Sequence, residues 1–175
     1  MRTPAQAQEI AAAFLANSDF ASEEPVLLDA KTEEFAEGWV FWYQSARFLQ
    51  TKDVGDSLVG NAPIFVPRVE ESPVQISYHR PTSESVEAFR SCGNANAKPS
   101  TTVELSGWQP GVQVVSAIQL IREHTGLGLA IAKRLVEDCL AGRAVQVEAK
   151  DLVSARALTV GLRQQGILAA TVYIS

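Results

Sequence analysis

Between two stretches of helical periodicity the chain carries Thr125-Gly126-Leu127-Gly128-Leu129. Before it, Val114, Val115, Ile118 and Ile121 recur at the spacing of one helix face. After it, Leu127, Ile131, Leu135 and Cys139 form a second stripe, with Ala132 and Val136 beside it. Gly126 is placed to end the first helix in a left-handed conformation, and Gly128 to let the second start close by. Two short amphipathic helices meeting at a tight corner must bury their apolar faces on a third element. That requirement constrains the second half of the chain more than any other feature.

The flanking sequence supplies the third element. Thr102-Val103-Glu104-Leu105 reads as a strand before the helices, and Ala144-Val145-Gln146-Val147 as one after them. Leu152, Ala155, Leu158 and Leu162 mark a third helix stopped by Gly166, and Ile167 to Ile174 a last strand. The order β-α-α-β-α-β predicts a two-layer sandwich with three helices on one sheet. The glycine corner is no phosphate loop, because no Lys-Ser/Thr pair follows it and no strand directly precedes it.

The corner, with Ile121-Arg122-Glu123-His124 before it and Ala132-Lys133-Arg134-Leu135-Val136-Glu137 after it, resembles the C-terminal domain of the bacterial ribosomal stalk protein over roughly residues 101–174. The resemblance implies a surface on the first two helices and their loop that recruits translational GTPases, elongation factor Tu among them. Arg122, Gly126, Gly128 and Lys133 match positions of that surface. Val114, Gln119 and Ala130 stand where that family has lysines, so the electropositive face is diluted, and its N-terminal dimerisation helices are missing.

The first half has another character. Thr3 is placed to cap a helix over residues 4–16, with Pro4 at the first helical position, where no N–H is needed. Residues 25–49 read as strands. Trp39-Val40-Phe41-Trp42-Tyr43 is predicted as one central strand, with Trp39, Phe41 and Tyr43 on one face and Val40 and Trp42 on the other. Pro63 to Pro67 and Pro73 to His79 are expected to pair across a hairpin loop at Arg68 to Ser72, with Val74, Ile76 and Tyr78 inward. Thr82 or Ser83 caps a short helix through about Arg90. The small, polar segment 93–101 is expected to be a linker between two domains, 1–92 and 102–175. The fold class predicted for the whole is α+β.

Residues 5–92, through Glu37-Gly38-Trp39-Val40-Phe41-Trp42-Tyr43 and Gly60-Asn61-Ala62-Pro63-Ile64-Phe65-Val66, resemble the immunity protein 35 family. Such proteins are encoded beside bacterial polymorphic toxins. The resemblance implies tight binding to one cognate toxin, by steric blocking of its active site or target surface, with no catalysis.

Charge gives this a physical form. Residues 1–94 hold 7 Lys/Arg against 14 Asp/Glu, and residues 95–175 hold 8 against 6. An acidic first half repels phosphates, which argues against nucleic acid as its partner. It favours encounter with a basic protein cleft. Loops carry contacts more often than cores do, so Glu33, Glu34 and Glu37 before the aromatic strand are candidate toxin contacts. Asp53 and Asp56 in the next loop join them, as do Glu70 and Glu71 at the hairpin tip.

His79 and His124 have no patterned Ser, Cys or Asp partner, and no His or Cys spacing suggests a metal. The expectation is a binding protein, not an enzyme, with no cofactor. Apolar residues make up 46% without any run of membrane-spanning length, so a membrane is not an expected partner. Only Cys92 and Cys139 occur, which points to a reducing, cytoplasmic setting. The leading expectation is an immunity protein against a toxin, one that targets a translation factor being the case the stalk resemblance suggests. The alternative is an adaptor binding a translational GTPase or the ribosome.

Overall fold

Thr3 caps the first helix in both directions. Its hydroxyl accepts the Gln6 backbone N–H, and the Gln6 side chain accepts the Thr3 N–H at 2.9 Å. Helix α1 (Pro4–Ala16) follows, burying Ala7, Ala11 and Leu15 on one face. The computed structural model describes residues 1–175, which divide into two units, Met1–Ala97 and Lys98–Ser175.

In the first unit the strands are β1 (Pro25–Leu27), β2 (Glu33–Glu34), β3 (Gly38–Phe41), β4 (Tyr43–Ser45), β5 (Ile64–Pro67) and β6 (Val74–Gln75). Helices α2 (Ala46–Thr51) and α3 (Thr82–Cys92) complete it. One antiparallel sheet has the order β2-β3-β5-β6; a separate ribbon pairs β1 with β4. Strand β3 is central and buried on both faces. Trp39, Phe41, Ile64 and Val66 pack with α1, while Val40 and Phe65 pack with Val86 and Phe89 of α3. The Phe65 and Phe89 rings meet nearly edge-on, 5.0 Å between centroids. Alternation along β3 therefore feeds two apolar cores. At Gly38 an added Cβ would sit against the Val66 carbonyl oxygen and 2.9 Å from the Phe65 ring, so the β3–β5 approach needs glycine there.

Several expectations need correction. The aromatic run is not one strand: it breaks at Trp42, where the chain leaves the four-stranded sheet to pair with β1. Trp42 is half-buried, its indole N–H donating to Glu33 Oε1 at 2.9 Å. Residues 46–51 are helical because Ser45 accepts the Phe48 N–H and starts a turn. Strand β6 stops at Gln75, and Tyr78 is exposed rather than inward. Thr82 does not cap α3; its hydroxyl donates to Glu33.

The expected linker 93–101 is structured throughout. Gly93 closes α3 at φ 73°. Ala95 and Ala97 are buried, their carbonyls accepting from the Arg80 guanidinium at 2.5 and 2.7 Å. Strand β7 (Lys98–Trp108) begins at once.

The second unit continues with α4 (Val114–Thr125), α5 (Leu129–Leu140), β8 (Val145–Glu148), α6 (Leu152–Gln164) and β9 (Ile167–Ile174). The sheet order is β8-β7-β9, antiparallel throughout. This is the predicted β-α-α-β-α-β order, and the α+β class holds for the chain. The α5 stripe is rotated from expectation. Ala132, Val136 and Cys139 form its buried seam, while Ile131 is exposed. No helix is long and apolar enough to cross a membrane.

Candidate functional site

The acids before and after the aromatic strand are mostly occupied within the first unit. Glu33 accepts from Trp42 and Thr82. Glu34 pairs with Arg68 at 2.5 Å, while the Arg68 guanidinium also donates to the Phe35 carbonyl and lies over the Trp39 ring at 4.1 Å. Glu37 pairs with Arg90, and this hydrogen bond holds its carboxyl below the usual glutamate value even though burial opposes it. Asp56 pairs with Arg47 and accepts from Thr51. Asp53 accepts the Gly55 N–H. Of the acids singled out in the sequence, Glu70 and Glu71, exposed in the β5–β6 loop, are the two whose carboxylates take no part in the hydrogen bonds of this unit.

The arginines are committed as well. Arg2 donates to the Pro67 and Glu71 carbonyls, and Arg80 to Ser85, Ala95 and Ala97. The arginines of residues 1–97 are thus held in place. A surplus of acids remains, because 14 Asp/Glu face 7 Lys/Arg over these residues.

Part of that surplus rims a hollow of about 570 Å³ lined by Asp19, Phe20, Glu23, Arg47, Asp56 and Val59, among others. Local sequence builds its floor. Asn17 donates to the Ala13 carbonyl at the end of α1, and a 3-10 turn (Ala21–Glu23) leads into β1. On the other side the loop after α2 is pinned to β4. Ser45 Oγ donates to the Asp56 carbonyl at 2.5 Å, Gln44 Oε1 accepts the Leu58 N–H at 2.6 Å, and Asn61 donates to the Tyr43 carbonyl at 2.7 Å. Leu58 is buried in the α1 core, whereas Val54 and Val59 are 79% and 86% exposed. The sequence carries little signal for Asp19, Glu23, Val54 or Val59, because each is isolated in polar surroundings. The hydrophobic spacing that reveals cores says nothing about an apolar residue held outward.

In the second unit, Gly126 adopts φ 80° and closes α4, its N–H donating to the Arg122 carbonyl at 2.9 Å. Gly128 has φ −68°, and an added Cβ would meet nothing within 4 Å. The corner therefore requires glycine at 126 only. Arg122 is exposed, and Lys133 reaches Glu137 one turn on at 3.6 Å. Lys150 adds a cation the helical stripes do not announce. Its ammonium donates to the Glu123 carbonyl at 2.6 Å, and its Cε lies 3.6 Å from where a Gly126 Cβ would be. Val115, Leu129 and Ile131 are exposed on the two helices that meet here.

No group of three His, Cys, Asp or Glu side chains is arranged to hold a metal ion. Neither cysteine is in a disulfide; Cys139 is buried, which pushes its thiol pKa up, and Cys92 is the last residue of α3.

No curated protein and no solved structure matches the chain. A family model does, that of immunity protein 35, over residues 5–101. That span takes in the first unit from α1 onward, with its doubly covered β3, the pinned loop and the acidic surplus. It covers the whole segment expected to be a linker, 93–101, and so reaches the first residues of β7. With more than half of its length inside that match, the chain belongs to the immunity protein 35 family.

Proposed function

We propose that this immunity protein neutralises a co-encoded bacterial polymorphic toxin by sterically covering a basic working surface with the acidic surface of residues 1–97, without catalysis and in the cytoplasm. One observation carries the reading. The arginines of the first unit are committed to internal carbonyls and carboxylates, so its net charge of −7 is expressed outward. Such a surface steers encounter with a basic partner and repels nucleic acid. Of the acids singled out in the sequence, Glu70 and Glu71 are the contacts best supported. Glu33, Glu34, Glu37 and Asp56 shape the surface from within, and Asp53 does so by fixing a loop. The test is co-purification of the chain with the product of the neighbouring gene, followed by growth with the toxin alone and with both. Rescue of growth with a stable complex whose association slows as salt rises is the expected result. A neighbour that is neither toxic alone nor bound overturns the reading.

The second unit supports a finer reading, that the toxin acts on a translational GTPase such as elongation factor Tu, for instance as an ADP-ribosyltransferase. Its helix order and glycine corner resemble the ribosomal stalk C-terminal domain. The exposed Val115, Leu129 and Ile131, with Arg122, Lys133 and Lys150 on the same elements or beside the corner, supply an apolar and basic surface of the kind that protein contacts use. The same observation favours the second reading, an adaptor that binds a translational GTPase or the ribosome with no toxin involved. Enrichment of elongation factors from lysate, lost in Arg122→Glu and Lys133→Glu, favours a contact there. Interactions unchanged by both substitutions remove it.

A further inference from the structure

The loop between α2 and β5 is tied down along its length. Asp53 caps its 3-10 turn (Val54–Asp56), and Ser57 Oγ closes back on the Val54 carbonyl at 2.7 Å. Asp56 is gripped three ways, by Arg47 Nε at 2.8 Å, Thr51 Oγ1 at 2.7 Å and, through its carbonyl, Ser45. Gln44 and Asn61 fix the two ends of the stretch that follows, and Leu58 plugs it into the core. On this pinned frame Val54 and Val59 stand outward, the two most exposed valines of the first unit. A single exposed valine is ordinary. Two on one loop whose every neighbour is tied down are different, because the ordering cost of a contact there is already met in the free protein.

We infer that Val54 and Val59 are the apolar anchors of the toxin contact, carried on the loop that also holds Asp53 and Asp56, with Val59 lining the hollow whose acids are Asp19, Glu23 and Asp56. The occupant that fits is a protein surface with an apolar socket bordered by lysines or arginines. Exposed apolar side chains beside acidic ones are the mix that a contact surface uses. The charge assigns the partner's sign: Arg47, the cation lining the hollow, is neutralised by Asp56, which leaves Asp19 and Glu23 to face a cation. This inference rests on the immunity reading above.

The test measures binding of the full chain to the toxin encoded beside it. Val54→Asp and Val59→Asp, separately and together, are compared with Val153→Asp, a valine equally exposed on α6 of the second unit. The double variant is expected to bind at least about thirty-fold more weakly, as befits loss of anchor residues. Val153→Asp is expected to bind as the natural chain does, and all variants to melt alike. Amide exchange of the natural chain adds a measurement free of substitution, with residues 54–59 expected to gain protection when toxin is added. Binding by the double variant within twofold of the natural chain, or no added protection at 54–59, overturns the anchor while leaving the immunity reading intact. A natural chain that does not bind the toxin overturns the immunity reading itself.

Discussion

The carboxylate of Glu33 points at the indole of Trp42, 2.9 Å from Nε1, and its other oxygen accepts the Thr82 hydroxyl at 2.7 Å. One side chain thereby ties β2 to the residue where the aromatic run leaves its sheet and to the first turn of α3. Glu33→Ala leaves the indole N–H and the hydroxyl without their partner in a half-buried place. The expected cost is about 1–3 kcal/mol of stability, read from urea unfolding, with toxin affinity unchanged within twofold. A variant that keeps its stability and loses affinity would return Glu33 to the contact surface.

The Glu37–Arg90 pair gives the acid limb of the stability curve a definite sign. The hydrogen bond from Arg90 holds the Glu37 carboxyl below 4.5, its ordinary value, in the folded protein. Folding therefore favours the ionised form. The contribution is fully present above the unfolded value and is lost as pH falls through the lowered folded value. Arg90 is 61% exposed, which limits the pair to about 1 kcal/mol. Glu37→Gln is expected to be less stable than the natural chain at neutral pH by about that amount. The two denaturation midpoints should converge as pH drops below about 4.5, the ordinary value of this carboxyl. A gap that persists unchanged to low pH would assign the effect to packing instead.

Gly38 tests how tightly β3 and β5 are drawn together. An added methyl group meets the Val66 carbonyl and the Phe65 ring, and a backbone oxygen in a paired strand cannot step aside. Gly38→Ala is expected to lose about 3 kcal/mol or more, or to yield insoluble protein. Gly60→Ala, with open space around it, is limited to the cost of its positive φ, about 1–2 kcal/mol. Equal thermal midpoints for the two variants would mean that β3 and β5 can move apart.

What the sequence reveals is local, and what it hides is joined across distance. Helix α1 is legible because Thr3-Pro4 is a start signal in adjacent residues, and β9 because Gly166 and an apolar run mark it without help from elsewhere. The break at Trp42 is not legible, since the aromatic run continues and only pairing with Pro25–Leu27 separates β4 from β3. Residues 93–97 read as a linker because they are small and polar. Their order comes from Arg80, 15 and 17 residues earlier, which bonds their carbonyls. The candidate contacts fail in the same way. Glu34 and Glu37 look free until Arg68 and Arg90 are brought to them from 34 and 53 positions away.

The two glycines of the helical corner, alike in the sequence, are expected to behave differently. Gly126 holds φ 80°, where any other residue is strained, so Gly126→Ala should cost about 1–2 kcal/mol. Gly128 begins α5 at φ −68° with open space around its Cα. A methyl group there removes freedom from the unfolded chain and meets no neighbour, while alanine is a poorer helix cap than glycine. The two effects oppose each other, and Gly128→Ala should stay within about 0.5 kcal/mol of the natural chain. Beyond that modest capping preference, the fold asks little of Gly128. If the second unit contacts a translational GTPase, Gly128→Ala should weaken that capture at unchanged stability, with melting and pull-down measured on the same preparation. A large loss of stability would make this glycine structural after all, and capture unaffected at full stability would take the corner out of the contact.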